Sequence, residues 1–327
     1  MTNPAFNWAR DQQTVLKEAT IKTLRAEASS RAFYRLSPAA GPSAVLMVSP
    51  PEKEQNEQFE RLAAVFGKAG IPVPSILAAD RPRGWFLLSD LGSRELAEAY
   101  DTPAEARAIE TALATLIRLQ GVQDPAVPPY TQARFRDELG IFAEWFAAAF
   151  LGVQLPAAIA PVFQLLVERM PIQVQCCVHR DYHCRNLLFD PDSGELGVVD
   201  FQDALVGPAS YDLASLLHDC YHDFSDDAVD RWQNWYLEHS PLPLDPESFA
   251  EDVTLTAIQR QLKAVGIFVR LRLRDGKTTH LEHVLPVLGS LSRLAAPLPQ
   301  LAALADWLAA LDLTNIAMRI DELKTTT

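Results

Sequence analysis

Cysteine is scarce in this chain: four residues in 327, Cys176, Cys177, Cys184 and Cys220, with no C-x-x-C pair. That excludes a disulfide-stapled scaffold and a cysteine-based zinc module, and leaves reduced, buried thiols. Positive charge is also short, with 29 Lys and Arg against 42 Asp and Glu and a net charge of −13. Nucleic acid, whose phosphates such a surface repels, is therefore not an expected partner. No run reaches the ~18 apolar residues of a membrane span. The opening residues MTNPAFNWARDQQ lack the basic and apolar regions of a secretory signal. The expectation is a cytoplasmic protein, monomeric and without a membrane partner. Internal repeats and low-complexity linkers are absent as well.

What is present is an ordinary globular composition, 48% apolar and 22% charged, in a chain longer than one core usually holds. Two lobes are expected. The most informative stretch is CVHRDYHCRNLLFDPDSGELGVVDFQDALVGPASYD, from Cys177 to Asp212. His179-Arg180-Asp181, followed by Asn186, fits the phosphotransfer loop H-R-D-x-x-x-x-N. Four fixed letters in that spacing arise by chance on the order of once in a thousand chains of this length. A second acid, Asp200, ends the apolar run Leu196-Gly197-Val198-Val199. Transfer of a phosphoryl group from ATP to a hydroxyl needs an acceptor-only carboxylate near that hydroxyl and hard oxygen ligands for Mg²⁺. Asp181 is the candidate for the first, Asn186 and Asp200 for the second. Short strands expected at 175–178, 186–189 and 196–199, joined by the turn Asp190-Pro191-Asp192-Ser193-Gly194, suit that order.

The residues after Asp200 exclude a protein kinase. Phe201-Gln202-Asp203 lacks the glycine of D-F-G, and the helix start near Tyr211-Asp212 leaves no space for an activation loop. The pattern D-F-Q-D-A, then G-P, then Y-D-L resembles the aminoglycoside phosphotransferase family, over roughly residues 25–275. The resemblance implies an α+β, bilobal protein-kinase-like fold with a small β-rich N-lobe over 1–90 and a larger helical C-lobe over 91–327. It implies Asp181 as catalytic base, Asn186 and Asp200 as magnesium ligands, ATP as donor, and Asp212 as a brace beneath the loop. Within the family, HRDYHCRN, DFQDALVGP and the helix QRQLKAVGIFVRLRLRDGK resemble bacterial kinases that phosphorylate the anomeric hydroxyl of free N-acetylated amino sugars during cell-wall recycling.

The nucleotide end departs from the pattern. The turn Ala28-Ser29-Ser30-Arg31-Ala32 contains no glycine, although its backbone N–H groups could cradle phosphates. Met47 stands where many kinases of this fold carry a phosphate-binding lysine. Arg31, Arg35 or Lys53 could supply the cation, oriented by Glu57, and Leu88 to Gly92 is the expected adenine hinge. The nucleotide contacts expected are thus Ser29, Ser30, Arg31, Arg35, Leu88 and Asp90. Trp85 and Phe86 read as core residues.

Helices are expected over 7–19, 54–68, 134–150, 157–170, 209–221, 226–238 and 246–274, and a capping box, Thr102-Pro103-Ala104-Glu105, predicts another beginning at Pro103. Strands are expected at 23–25, 33–36, 44–48 and 85–88. His218 and His222, four apart with Cys220 between, mimic a zinc pair but have no third ligand in the pattern. Arg260, Lys263, Arg270 and Arg274 fall within an arc of about 80° on one helical face, either a solvated face or an anion-recognition face. The expected sugar contacts are His183, Arg185, Asp203, Lys263 and Arg270. A polycationic antibiotic would need an acid-lined pocket, whereas an amino sugar bearing a carboxylate needs cations, which Arg180, Arg185 and the stripe would supply. Two other readings stay open: another small-molecule hydroxyl phosphotransferase, and a non-catalytic kinase-fold binding protein.

Overall fold

Pro4 at the first helical position, with the Asn3 side chain accepting from the Ala5 N–H, starts helix α1 (Pro4–Gln12). The computed structural model describes residues 3–24 and 30–325. Helix α1 is shorter than the expected 7–19: Gln13 is extended, and a 3₁₀ turn, Thr14–Leu16, follows. The β-branched pair Thr14-Val15 favours that break. Strands β1 (Thr20–Leu24), β2 (Ala32–Ser37) and β3 (Ala44–Val48) then pair antiparallel in sequence. Helix α2 (Asn56–Lys68) precedes β4 (Ile76–Asp80) and β5 (Trp85–Ser89), and the sheet order is β1-β2-β3-β5-β4. Strand β4 gave no strand signal, because its Ala78-Ala79 pair carries little β-propensity. Side chains alternate across this sheet. Leu36, Ala44, Leu46 and Leu87 pack with Ala5 and Ala9 of α1. On the opposite face Phe86 meets Phe59 of α2 edge-on at 5.9 Å.

Helix α3 (Glu105–Gln120) begins two residues later than its capping signal suggests. The signal is nonetheless used locally: Asp101 N–H donates to the Glu105 carboxylate (2.8 Å) and Ala104 N–H to Thr102 Oγ1 (3.2 Å). Helix α4 (Gln132–Ile141) runs directly into a π-helical stretch, Phe142–Leu151, where one continuous helix was expected. Helix α5 (Ile159–Arg169) leads to β6 (Gln175–Val178), β7 (Leu187–Phe189), β8 (Leu196–Val198) and β9 (Leu205–Pro208). Strands β6 and β9 pair antiparallel, as do β7 and β8. The remainder is helical: α6 (Ser210–Leu217), α7 (Asp226–His239), α8 (Pro246–Leu273), α9 (Val284–Ala295), α10 (Ala302–Ala309) and α11 (Leu313–Thr325). Among the described residues no single helix is long and apolar enough to cross a membrane.

The chain divides into two compact units. Unit 1 comprises Met1–Val127 and Cys184–Ala204, and unit 2 comprises Pro128–His183 and Leu205–Thr327. Unit 1 thus holds the five-stranded sheet with α1, α2 and α3, together with the β7–β8 hairpin. Phe201 is stacked on Phe59 at 5.3 Å and set edge-on to Phe66 at 5.8 Å. Unit 2 is organised on α8, 28 residues and so about 42 Å long. Where α8 crosses the junction of α4 and the π-helical stretch, Gly266 lets the backbones approach: a Cβ there would lie 2.7 Å from the Ile141 carbonyl carbon.

Gly266→Ala is therefore expected to cost about 1–3 kcal/mol through overpacking against backbone that cannot move aside. The control is Gly289→Ala in α9, where a Cβ meets nothing within 4 Å; it should be neutral or stabilising by up to about 1 kcal/mol. Thermal melts of the two variants check this, and equal melting temperatures would contradict the close-packing assignment.

Candidate active site

Strand β6 delivers the chain into His179 and Arg180, and the next residues are shaped by one buried acid. Asp212, in the first turn of α6, accepts the His179 N–H at 2.6 Å and the Arg180 N–H at 2.9 Å. Arg180 sits at φ +79°, in the left-handed region that non-glycine residues avoid. Such a conformation costs about 1–3 kcal/mol and persists only where surrounding contacts impose it. Burial pushes the Asp212 carboxyl up to about 7, against the pull of its two N–H donors and of Arg260.

The left-handed turn aims the Arg180 side chain at Glu138 of α4, where Nη2 lies 2.8 Å from Oε1. The same carboxylate receives Lys263 Nζ at 3.3 Å, Gln259 Nε2 at 3.3 Å and the Tyr130 hydroxyl. With that proton committed to Glu138, the Tyr130 oxygen is left to accept from the Tyr211 hydroxyl, 3.1 Å away. The guanidinium groups of Arg180 and Arg260 lie 5.2 Å and 5.3 Å from the ring centres of Tyr130 and Tyr211. Asp181 stands within this field. Burial would raise its carboxyl, but Lys263, Arg180, His183 and Arg260 together hold it far below the usual carboxylate range. It is an anion at every physiological pH.

The second half of the motif lies in unit 1. Val199 N–H donates to the Asn186 carbonyl at 3.0 Å, tying the residue before Asp200 to Asn186. Asp200 is solvent-exposed, adopts φ +63°, and accepts from Gln202 Nε2 at 2.7 Å. An amide oxygen and a carboxylate on adjoining strand ends are the hard donors magnesium takes, with water completing its shell. The donor set fits.

Of the expected nucleotide contacts, Ser29 lies outside the described residues. Ser30 N–H and hydroxyl both donate to Glu54. Arg31 is buried, its Nε donating to Ser49 Oγ at 3.1 Å and approaching Glu54 at 3.4 Å, with the guanidinium 5.5 Å from the Phe59 ring centre. The acid meeting Arg31 is thus Glu54, where the sequence suggested Glu57. Arg35 makes a two-pronged pair with Asp90 at 2.6 and 2.9 Å, and Asp90 also takes Ser43 and the Gly92 N–H. Leu88 and Met47 are buried on β5 and β3. Met47 shares a sheet face with Phe33 and Phe86, its cross-strand partners.

Of the expected sugar contacts, Lys263 belongs to the charge cluster, His183 and Arg185 are half-buried in the loop, and Asp203 is exposed. The basic stripe of α8 meets different surroundings along its length: Arg260 and Lys263 act on Asp181, whereas Arg274 pairs with Asp275 at the exposed end. Arg270, seven residues beyond Lys263 and so about 10 Å along the axis, has a buried Nε without a hydrogen-bond partner. The His218–His222 pair is also not a helical pair, because α6 ends at Leu217. No group of three metal-ligating side chains of the His, Cys, Asp and Glu type occurs among the described residues. Glu138, Tyr130 and Gln259 were missed. Glu138 left a readable trace, a charge at helical spacing among the buried Phe135, Leu139 and Phe142.

The sequence profile of the phosphotransferase enzyme family matches residues 20–251. An N-acetylmuramate/N-acetylglucosamine kinase of Pseudomonas aeruginosa is 36% identical over 295 residues, covering 87% of this chain and 86% of that protein. One of the same name from Pseudomonas putida is 32% identical over 302 residues, covering 89% and 88%. Among solved structures, a thermostable aminoglycoside phosphotransferase APH(4)-Ia mutant in ternary complex with AMP-PNP and hygromycin B superposes with a TM-score of 0.59 at 15% identity, over 84% of this chain and 92% of that one. At that identity the likeness speaks for a shared kinase-like fold.

Two outcomes follow from the buried charges. Glu138→Ala leaves Arg180 and Lys263 buried without their shared counter-charge and should cost about 3–5 kcal/mol, read as a lowered melting temperature. For Asp212, the folded-state carboxyl is raised, so its contribution is fully present below pH ~4 and is lost as pH climbs through about 7. Asp181 is depressed, and its contribution is lost only as pH falls below about 4. Between pH 4 and 7 the stability difference between wild type and Asp212→Asn should therefore shrink with rising pH, by at most about 4 kcal/mol. A difference independent of pH across that window would refute the assignment.

Proposed function

The chain belongs to the phosphotransferase enzyme family, and from that membership we propose that it transfers the γ-phosphoryl group of ATP to the anomeric hydroxyl of N-acetylmuramic acid and N-acetylglucosamine, in the recycling of cell-wall amino sugars. The observation that carries the acceptor class is the set of cations facing Asp181, namely Lys263, Arg180 and Arg260. A polycationic aminoglycoside would be repelled there, whereas a sugar bearing a lactyl carboxylate would be drawn in.

In this reading Asp181 accepts the proton of the sugar O1 as the bond from O1 to phosphorus forms and the bond from phosphorus to the β-phosphate oxygen breaks, releasing ADP. A carboxylate held far below its usual range is a weak base. It suffices because an anomeric hydroxyl is more acidic than an ordinary alcohol, and because a loose phosphoryl-transfer transition state needs the proton removed late. Asn186 and Asp200 would hold magnesium, which when bound neutralises charge on the phosphates. N-acetylmuramic acid carries lactate on O3, so an enzyme using both sugars must leave O3 unreacted.

Replacing Asp181 with Asn should lower turnover by roughly 10²–10⁴-fold, or about 3–5 kcal/mol of barrier, while ATP binding survives. Phosphorus NMR of the product should show a sugar 1-phosphate, and a 1-O-methyl glycoside should not react. A 6-phosphate signal, or turnover of the methyl glycoside, would rule out the anomeric assignment. Turnover of an aminoglycoside in preference to either sugar would overturn the acceptor class.

A further inference from the structure

Three separate segments of unit 2 bring rings together beside Asp181. His183, two residues after Asp181, meets the Tyr221 ring at 5.2 Å, and His283 meets it from another element at 4.8 Å. Both imidazoles stand near-perpendicular to the phenol, at 70° and 85°. Tyr221 follows the end of α6 in a turn pinned by its own N–H donating to Asp219 at 3.0 Å. His283 closes a short 3₁₀ turn ahead of α9. Behind them Phe268 of α8 stacks on His280 at 5.3 Å and 24°, and its ring centre lies 6.2 Å from that of Tyr221.

Burial separates these rings into two rows. Phe268 and His280 are buried, whereas His183, Tyr221 and His283 are each partly exposed, His283 by 16% of its side chain. The partly exposed row is the one a ligand can reach. The segment carrying Tyr221 is also electrostatically joined to the acid: Cys220, beside it, is pushed up to about 12 by burial, and Asp181, Lys263 and Arg260 all act on that thiol. Helix α8 supplies both Lys263 and Phe268, five residues and about 7 Å apart along its axis. The histidines do not make a metal centre, since no group of three such ligands occurs among the described residues.

We infer that His183, Tyr221 and His283 form the wall on which the pyranose ring of an N-acetylated hexosamine rests, with its anomeric carbon toward Asp181. This deepens the proposed function and rests on it. The face of a phenol ring suits the row of axial C–H groups on one side of a pyranose, and imidazoles at right angles to it can exchange hydrogen bonds with the equatorial hydroxyls and the acetamide. The wall gives affinity and orientation for the sugar and takes no part in moving the proton.

The test is steady-state kinetics with N-acetylglucosamine and ATP on Tyr221→Ala, Tyr221→Phe and His283→Ala, alongside thermal melts. Tyr221→Ala and His283→Ala should each raise the sugar KM about tenfold or more, with the ATP KM within twofold and kcat reduced far less than the sugar KM rises. Tyr221→Phe, which keeps the ring face, should stay within about threefold of wild type in all three. Trp235→Ala, which removes a ring stacked on His239 at 3.9 Å in α7, serves as the remote control and should change none. If Tyr221→Ala and His283→Ala leave the sugar KM within twofold, or lower only the melting temperature and kcat, the wall is refuted while the kinase reading stands. If wild type phosphorylates neither amino sugar, the function reading fails and the wall with it.

Discussion

A carboxylate that accepts two consecutive backbone N–H groups fixes the geometry on which the rest of unit 2 depends. Asp212 can hold both donors only if the chain turns sharply at Arg180, and the left-handed φ of Arg180 is the record of that turn. The turn decides where two side chains go. Arg180 is sent to Glu138, and Asp181 follows into the field of Lys263 and Arg260. The backbone strain is offset by hydrogen bonds to a buried acid, an arrangement that water could not reproduce.

That buried network also reconciles two facts about charge that pull in opposite directions. The chain carries a net charge of −13, yet three cations, Lys263, Arg180 and Arg260, are gathered on Asp181. The acidic excess is spread over the surface, where solvent screens it. The cations are gathered where burial makes them effective, with Glu138 balancing Arg180 and Lys263 so that neither stands alone. Net charge therefore speaks to nucleic-acid partners and not to the chemistry of a pocket.

What could be read from the sequence was whatever is encoded locally. His179, Arg180, Asp181 and Asn186 sit in fixed spacing on one loop, and the β7–β8 hairpin around a Pro-Asp-Ser-Gly turn was equally plain. Strands β2, β3 and β5 were visible through their apolar, β-branched and aromatic residues, whereas the α+β, kinase-like class came from the family resemblance of the loop motifs. Strands β4 and β9 were not, since Ala78-Ala79 and Val206-Gly207-Pro208 hold their places by pairing with distant partners. The π-helical stretch after Ile141 was illegible for a similar reason: its sequence is an ordinary apolar helix, and the approach of α8 at Gly266 lies 125 residues away. The different surroundings along the α8 stripe were not legible, because helical periodicity places residues on a face without saying how far along it their neighbours extend. Lys263 meets Glu138 of α4 and Arg260 lies over the Tyr211 ring of α6, whereas Arg274 pairs with its neighbour Asp275.

The division of the chain has a consequence for its synthesis. Unit 1 is completed only by residues 184–204, which are made after 56 residues of unit 2. Until then Phe59 and Phe66 of α2 lack Phe201, the ring that stacks on one and meets the other edge-on. Phe201 follows Phe66 by 135 residues, so at roughly 5–20 residues per second that apolar helix face waits about 7–27 s for its cover on the ribosome. A fragment ending at Val127 would lack Phe201 permanently, leaving Phe59 with Phe86 but without the ring that stacks on it.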